Sequence, residues 1–218
     1  MTAHHEYRTV VFDLDGVLID SFQVMRQAFA LAYHEVVGPG EPPFDEYRTH
    51  QGRYLPDIMR LMGLPLAMEG PFVEASQRLI REVKVYPDVP LLLKRLRESG
   101  VRTAIATGKS GERARGVLDV VGLLPLLDAV VGSDEVPRPK PAPDIVLEGL
   151  RRIGGSPGSA VMVGDAVIDL QAGRSAGTAT AAALWGETSA GPLRDEQPDH
   201  VLEEPADLLS VVLDEASR

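Results

Sequence analysis

The residues best suited to chemistry stand at the end of the first apolar run. In TVVFDLDGVLIDS, positions 9–21, a β-branched and aromatic stretch leads into Asp13, Leu14, Asp15 and Gly16. Residues two apart on an extended chain point the same way, so both carboxylates can face one site while Leu14 packs behind them. Adjacent carboxylates repel, and the pair is tolerable where a cation lies between them or one of them keeps a proton. Gly16 permits a sharp turn or a close approach to a ligand. Three later stretches carry further candidates. Thr107 and Gly108 close an apolar run with a hydroxyl and an accessible backbone N–H, which suits either a turn or a hold on a phosphate oxygen. Lys140 lies between two prolines in RPKPAPD, which restrain a charge that is ordinarily solvated. Asp165 and Asp169 follow Gly164 in VGDAVID, where Asp165 has the type and place of a helix N-cap.

These side chains need strands to deliver them. Val10-Val11-Phe12 reads as a short buried strand, and further strands are expected at 102–107, 129–131, 160–163, 178–183 and 200–202. They alternate with helices at 89–99, 112–121, 142–153, 167–176 and 206–213. Alternation of this kind implies a parallel sheet covered on both faces, a doubly wound Rossmann-like α/β fold whose ligands bind at the carboxyl ends of the strands. Between the first two strands stands much more chain than the dozen or so residues a crossover needs. Phe22, Met25, Phe29, Ala32 and Tyr33 recur at helical steps up to Gly38-Pro39-Gly40. A polar connection, EPPFDEYRTHQGR, then leads to helices at 54–62 and 69–84, and nothing between 20 and 86 reads as a strand. The expected organisation is a core domain of residues 1–19 and 87–218, with an all-helical cap domain of residues 20–86 inserted beside the site.

The four stretches, in this order, resemble the four motifs of the haloacid dehalogenase-like superfamily. The likeness is to its helical-cap branch of phosphoglycolate phosphatases and β-phosphoglucomutases. It implies that Asp13 is a nucleophile and Asp15 a general acid and base. It further implies that Thr107 and Gly108 bind phosphate, and that Lys140 serves both the phosphate and the nucleophile. Asp165 would be a metal ligand, with Asp169 in support. The implied cofactor is Mg²⁺, held by Asp13, the Asp15 main-chain carbonyl and Asp165. Arg53, in the run His50-Gln51-Gly52-Arg53, falls where such caps present substrate-binding residues. In relatives that act on haloacids or phosphonates the residue two after the nucleophile is not a carboxylate, so Asp15 points to phosphate esters. The mutases carry a histidine twelve positions after the nucleophile, where this chain has Met25. The stretches VMRQAFALAYHEVVG and IATGKSGERAR are also similar to phosphatases that accompany 3-amino-5-hydroxybenzoate synthesis in antibiotic-producing actinobacteria. The implied function is hydrolysis of a small phosphorylated metabolite, such as a sugar or aminosugar phosphate, through an aspartyl-phosphate. The alternatives are a sugar-phosphate mutase and a non-catalytic partner of a biosynthetic enzyme.

Composition sets outer bounds. The 218 residues are 44% hydrophobic and 25% charged, which is ordinary for a globular chain. A formal charge of -10 argues against a nucleic-acid or anionic-membrane surface and leaves a small phosphorylated molecule as the expected partner. Without cysteine there are no disulfides and no thiolate chemistry. No apolar run approaches the ~18 residues of a membrane span. The polar start leads straight into the strand carrying Asp13, so the expected location is cytoplasmic, with His4 and His5 a mobile surface pair and the protein a monomer or homodimer.

Overall fold

Residues 7–186 and 188–213 are described by the computed structural model of the chain. The first part runs β1 (Thr9–Phe12), β2 (Ile19–Asp20), α1 (Phe22–Val36), α2 (Phe44–Thr49), α3 (Leu55–Leu61), α4 (Glu69–Arg78) and β3 (Lys84–Val85). Next come α5 (Val89–Glu98), β4 (Arg102–Thr107), α6 (Gly111–Val120), β5 (Ala129–Gly132) and α7 (Asp144–Arg152). The last are β6 (Ala160–Gly164), α8 (Val167–Ala176), β7 (Ala179–Ala183), α9 (Ala190–Asp195), β8 (His200–Leu202) and α10 (Leu208–Val212). His4 and His5 lie outside the described residues.

Six strands form one sheet in the order β5-β4-β1-β6-β7-β8, with every pairing parallel. The pleat sends alternate residues of β1 to opposite faces. Val10 and Phe12 join Leu92, Leu93 and Leu96 of α5, Val117 and Leu118 of α6, and Leu208 of α10 on one face. Val11 joins Ile145, Val146 and Leu150 of α7 and Ala172 of α8 on the other. Both faces are dry, which is why the central strands read as continuous apolar runs. This is the doubly wound, Rossmann-like α/β fold expected from the alternation of elements.

Helices α1 to α4 bury a separate cluster that includes Phe29, Phe44, Tyr47, Met59, Met68 and Phe72. The rings of Phe29 and Tyr47 are 4.9 Å apart, and those of Phe44 and Tyr47 are 5.4 Å apart. The chain enters and leaves this segment through β2 and β3, which pair antiparallel with Ile19 opposite Val85 and Asp20 opposite Lys84.

Three local expectations need correction. The connection at 41–53 contains α2, because Phe44 and Tyr47, one helical turn apart, find aromatic neighbours that repay ordering the turn. Strand pairing does occur within 20–86, at Asp20 and in β3, but two-residue strands are too short to show a period. The six-residue α9 was not expected at all; it buries Leu193. Among the described residues no helix is long and apolar enough to cross a membrane.

Candidate active site

The parallel register places Phe12 beside both Ile105 and Val163, so the carboxyl ends of β1, β4 and β6 lie together. Asp13 leaves β1 with its N–H donated to the Val163 carbonyl at 2.9 Å, which fixes its backbone before any side-chain contact. Lys140 Nζ donates to Asp13 Oδ1 at 2.8 Å and to Asp169 Oδ1 at 2.6 Å, and all three side chains are buried. Asp169 Oδ2 also accepts the Ala166 N–H at 3.0 Å, so one carboxylate caps α8 and holds the lysine. Gly164 is required beside it, since a Cβ there would stand 2.6 Å from Asp169 Cγ. Burial pushes the Asp13 carboxyl up to about 7. The Lys140 ammonium works against that rise, and the charges of Asp169 and Asp15 add to it. Lys140 is also buried, which alone would favour its neutral form; its two carboxylate partners outweigh this and hold the proton more firmly than usual.

Asp15 is engaged differently. Lys109 Nζ donates to both of its oxygens, at 2.7 and 2.6 Å, and the Ser21 hydroxyl donates to Oδ1. Burial alone would raise the Asp15 carboxyl, but the Lys109 ammonium, the Ser21 hydroxyl and the nearby Arg113 hold it below the usual carboxylate range. Burial in turn lowers the lysine, an effect that Asp15 offsets only in part. In this arrangement Asp15 is a carboxylate, ready to accept a proton rather than to give one.

Gly108 and the loop between α2 and α3 close over these groups. A Cβ on Gly108 would stand 2.5 Å from the carbonyl oxygens of Gly52 and Arg53, and one on Gly52 would stand 3.1 Å from Ile168 Cδ1. The cavity between them is about 50 Å³, room for a few waters. Its walls include Asp13, Asp15, Gly108, Lys109 and Asp165 from the sheet ends, with Met25, Tyr47 and Arg53 from the helical segment. Thr107 is fully buried, and its hydroxyl accepts the Lys109 N–H at 3.2 Å. It therefore shapes the turn that presents Gly108 and Lys109, and it is not among the residues lining the cavity.

Carboxylate oxygens of Asp13, Asp165 and Asp169 come within 4.8 Å of one another. Lys140 and the Ala166 N–H already occupy both Asp169 oxygens, so Asp169 is poorly placed to hold a metal as well. Asp165 is tightly cradled: a Cβ would lie 2.5 Å from its Cγ if built on Gly16, whose φ is +77°, and 2.7 Å if built on Gly186. Four carboxylates against the two ammonium groups leave a formal -2 before Arg113 is counted. A phosphoryl group enters such a field only with a cation, and these hard oxygen donors fit a small divalent ion.

A family model described as haloacid dehalogenase-like hydrolase matches residues 7–177. The chain belongs to the haloacid dehalogenase-like hydrolases. It is 33% identical to a phosphoglycolate phosphatase of Aquifex aeolicus, over 94% of this chain and 96% of that one. It is 31% identical to pyrophosphatase PpaX of Bacillus velezensis, over 93% and 94% of the two chains. The crystal structure of a hydrolase from Pseudomonas syringae shares the fold with a TM-score of 0.82, at 24% identity over 93% of this chain and 96% of that one. Phosphatases among the relatives support a phosphatase here.

Of the residues expected at the site of this hydrolase, Asp13, Asp15, Lys140, Asp165 and Asp169 converge. Gly108 and Arg53 line the cavity, and Thr107 stands behind it. Sequence reasoning passed over Lys109, Ser21 and Arg113. A faint signal existed for Arg113, which lies four residues before the buried Val117 and so puts a cation beside the apolar stripe of α6. Lys109 follows Gly108 directly, but nothing local tells that its partner is Asp15, 94 residues away.

Proposed function

We propose that the chain is a Mg²⁺-dependent phosphatase of a small phosphorylated metabolite, working through an aspartyl-phosphate on Asp13. The observation that carries the reading is the pair of carboxylates at the end of β1, each engaged by its own lysine and both lining one cavity. Mg²⁺ bound by Asp13, the Asp15 carbonyl and Asp165 would supply charge neutralisation for the phosphoryl oxygens. Lys140 holds Asp13 Oδ1, which leaves the other oxygen to attack phosphorus in line with the departing alcohol. The backbone N–H of Gly108 would serve the equatorial oxygens, while that of Lys109 is held by the Thr107 hydroxyl.

Asp15 gives a proton to the leaving oxygen and later takes one from the attacking water. Lys109 must loosen its hold before Asp15 can carry that first proton, and an anionic substrate arriving beside it competes for the ammonium. Residues 20–86 act as a cap whose loop at Gly52 and Arg53 closes on Gly108 and excludes bulk water.

Hydrolysis is favoured over a mutase because Met25 lines the cavity with its sulfur 3.9 Å from Lys109 Nζ. A thioether cannot relay the proton that a second phosphoryl transfer needs. Phosphoglycolate and pyrophosphate, named for the relatives, are small substrates, in keeping with a small cavity. A sugar or aminosugar phosphate in 3-amino-5-hydroxybenzoate synthesis is the second reading. It rests on the sequence resemblance and on a neighbouring cavity of about 150 Å³ between α1, α4 and α6 that offers room for a larger leaving group.

The test is phosphate release from p-nitrophenyl phosphate, phosphoglycolate, pyrophosphate and a set of sugar phosphates, with Mg²⁺ and with EDTA. Release that needs Mg²⁺ and is lost in Asp13→Asn supports the reading. Absence of release from every substrate by folded, Mg²⁺-loaded protein turns the choice to the mutase or the partner protein.

A further inference from the structure

Arg113 is a cation of the site that hydrolysis as written above does not use. It is the third residue of α6, beside the buried Ala114, and its side chain reaches across to the helical segment. Nη2 donates to Ser76 Oγ at 3.3 Å, and Cζ lies 5.4 Å from the centroid of the Phe72 ring. The side chain lines both the cavity over Asp13 and Asp15 and the neighbouring one between α1, α4 and α6.

Its charge is matched less closely than that of the two lysines. Lys109 and Lys140 each have carboxylate partners at 2.6–2.8 Å, whereas no carboxylate among the described residues forms an ion pair with Arg113. A guanidinium carries five N–H donors, and here one neutral hydroxyl accepts from them. Burial penalises the charge, and the more distant Asp15 and Glu69 offset that penalty only in part. The Phe72 ring and Ser76 fix the guanidinium plane, which leaves the rest of its donor edge oriented and free for a planar or tetrahedral anion.

We propose that Arg113 is a specificity residue that binds a second anionic group, a carboxylate or a second phosphoryl group, on the leaving-group side of the substrate. The site then prefers small metabolites with two anionic ends over esters of neutral alcohols. The catalytic arm of this inference rests on the phosphatase reading; the binding arm does not.

A matched pair of substrates isolates the effect. Phosphoglycolate and 2-hydroxyethyl phosphate differ in carrying a carboxylate or a neutral hydroxymethyl group at the same place, and pyrophosphate adds the phosphoryl case. Wild type should show a kcat/KM at least tenfold higher for phosphoglycolate or for pyrophosphate than for 2-hydroxyethyl phosphate. Arg113→Gln should bring that ratio toward one, and Arg113→Lys, which keeps the charge without the fork, should fall between. A ratio unchanged in Arg113→Gln overturns the proposal, as does a wild type without preference. Binding of phosphoglycolate and pyrophosphate to the Asp13→Asn protein, measured by calorimetry, decides the matter even if no turnover is found. Adding Arg113→Gln should weaken the favoured ligand at least tenfold, and equal affinity refutes the assignment. Thermal melting checks that each variant is folded. If Arg113→Gln is not, Arg113→Lys and Ser76→Ala carry the same comparison, with a reduced ratio expected and an unchanged one decisive against it.

Discussion

Replacing Lys140 with methionine tests the electrostatic centre of the fold and the site together. The ammonium is fully buried and lies 2.8 Å from Asp13 and 2.6 Å from Asp169, both also buried. At an effective dielectric of about 20, each contact is worth roughly 6 kcal/mol before the cost of desolvation. That cost cancels most of the gain while the triad is intact, but deleting only the lysine strands two carboxylates. Loss of one partner from a buried pair costs ~3–5 kcal/mol, a large share of the ~5–15 kcal/mol that holds an ordinary domain. Lys140→Met should therefore lower the urea midpoint strongly in EDTA. Adding Asp169→Asn removes one stranded charge, so the double variant should be more stable than the sum of the single changes by about 1–3 kcal/mol. The assay is a double-mutant cycle by urea denaturation without metal. A Lys140→Met loss below about 1 kcal/mol, or strict additivity in the cycle, would refute the reasoning.

Other expectations follow from the same geometry. A methyl on Gly108 would stand 2.5 Å from the Gly52 and Arg53 carbonyl oxygens, so Gly108→Ala should prop the loop open. Steady-state kinetics should show kcat/KM down by tenfold or more with little change in melting temperature, and unaltered kinetics would contradict closure at this point. Burial holds the Asp13 proton up to about 7, against an ordinary carboxylate value of 3.8. The metal-free fold thus binds a proton that the unfolded chain releases, and this group's contribution to stability should fall as pH rises between these values. A divalent cation must displace that proton. Mg²⁺ affinity should rise about tenfold per pH unit below 7 and level off above it, with proton release seen as buffer-dependent heats in calorimetry; heats independent of buffer at pH 6 would argue against it. Lys109→Met removes the chief cause of the low Asp15 value, so the basic limb of the kcat/KM profile should move to higher pH. An unmoved limb would mean that Asp15 is not the titrating acid.

The legible parts of this chain were those governed by local rules. The strand that delivers Asp13 was marked by the apolar run Val10-Val11-Phe12, and 102–107, 167–176 and 200–202 read with their observed limits because β-branched residues and caps mark them. Asp169 was legible as a companion of Asp165 because both lie within one turn of the start of α8. What escaped depends on distant neighbours. Phe44 and Tyr47 sit in a proline-rich stretch that looks like a connection until the aromatic cluster of α1 and α4 is present to receive them. Lys109 resembles any lysine in a turn until α1 and the end of β1 bring Asp15 to it. Arg113 resembles a solvated helix residue until α4 places Phe72 and Ser76 against it.

The most direct test of the proposed chemistry is to catch the covalent intermediate on Asp13. Borohydride reduction during steady-state turnover converts an aspartyl-phosphate to homoserine, which peptide mass spectrometry locates. Turnover of the preferred substrate with Mg²⁺ should yield homoserine at position 13 and nowhere else, and none in Asp13→Asn, which should also release no phosphate. Full turnover with an unmodified Asp13, or phosphate release that survives Asp13→Asn, would contradict nucleophilic attack by this residue.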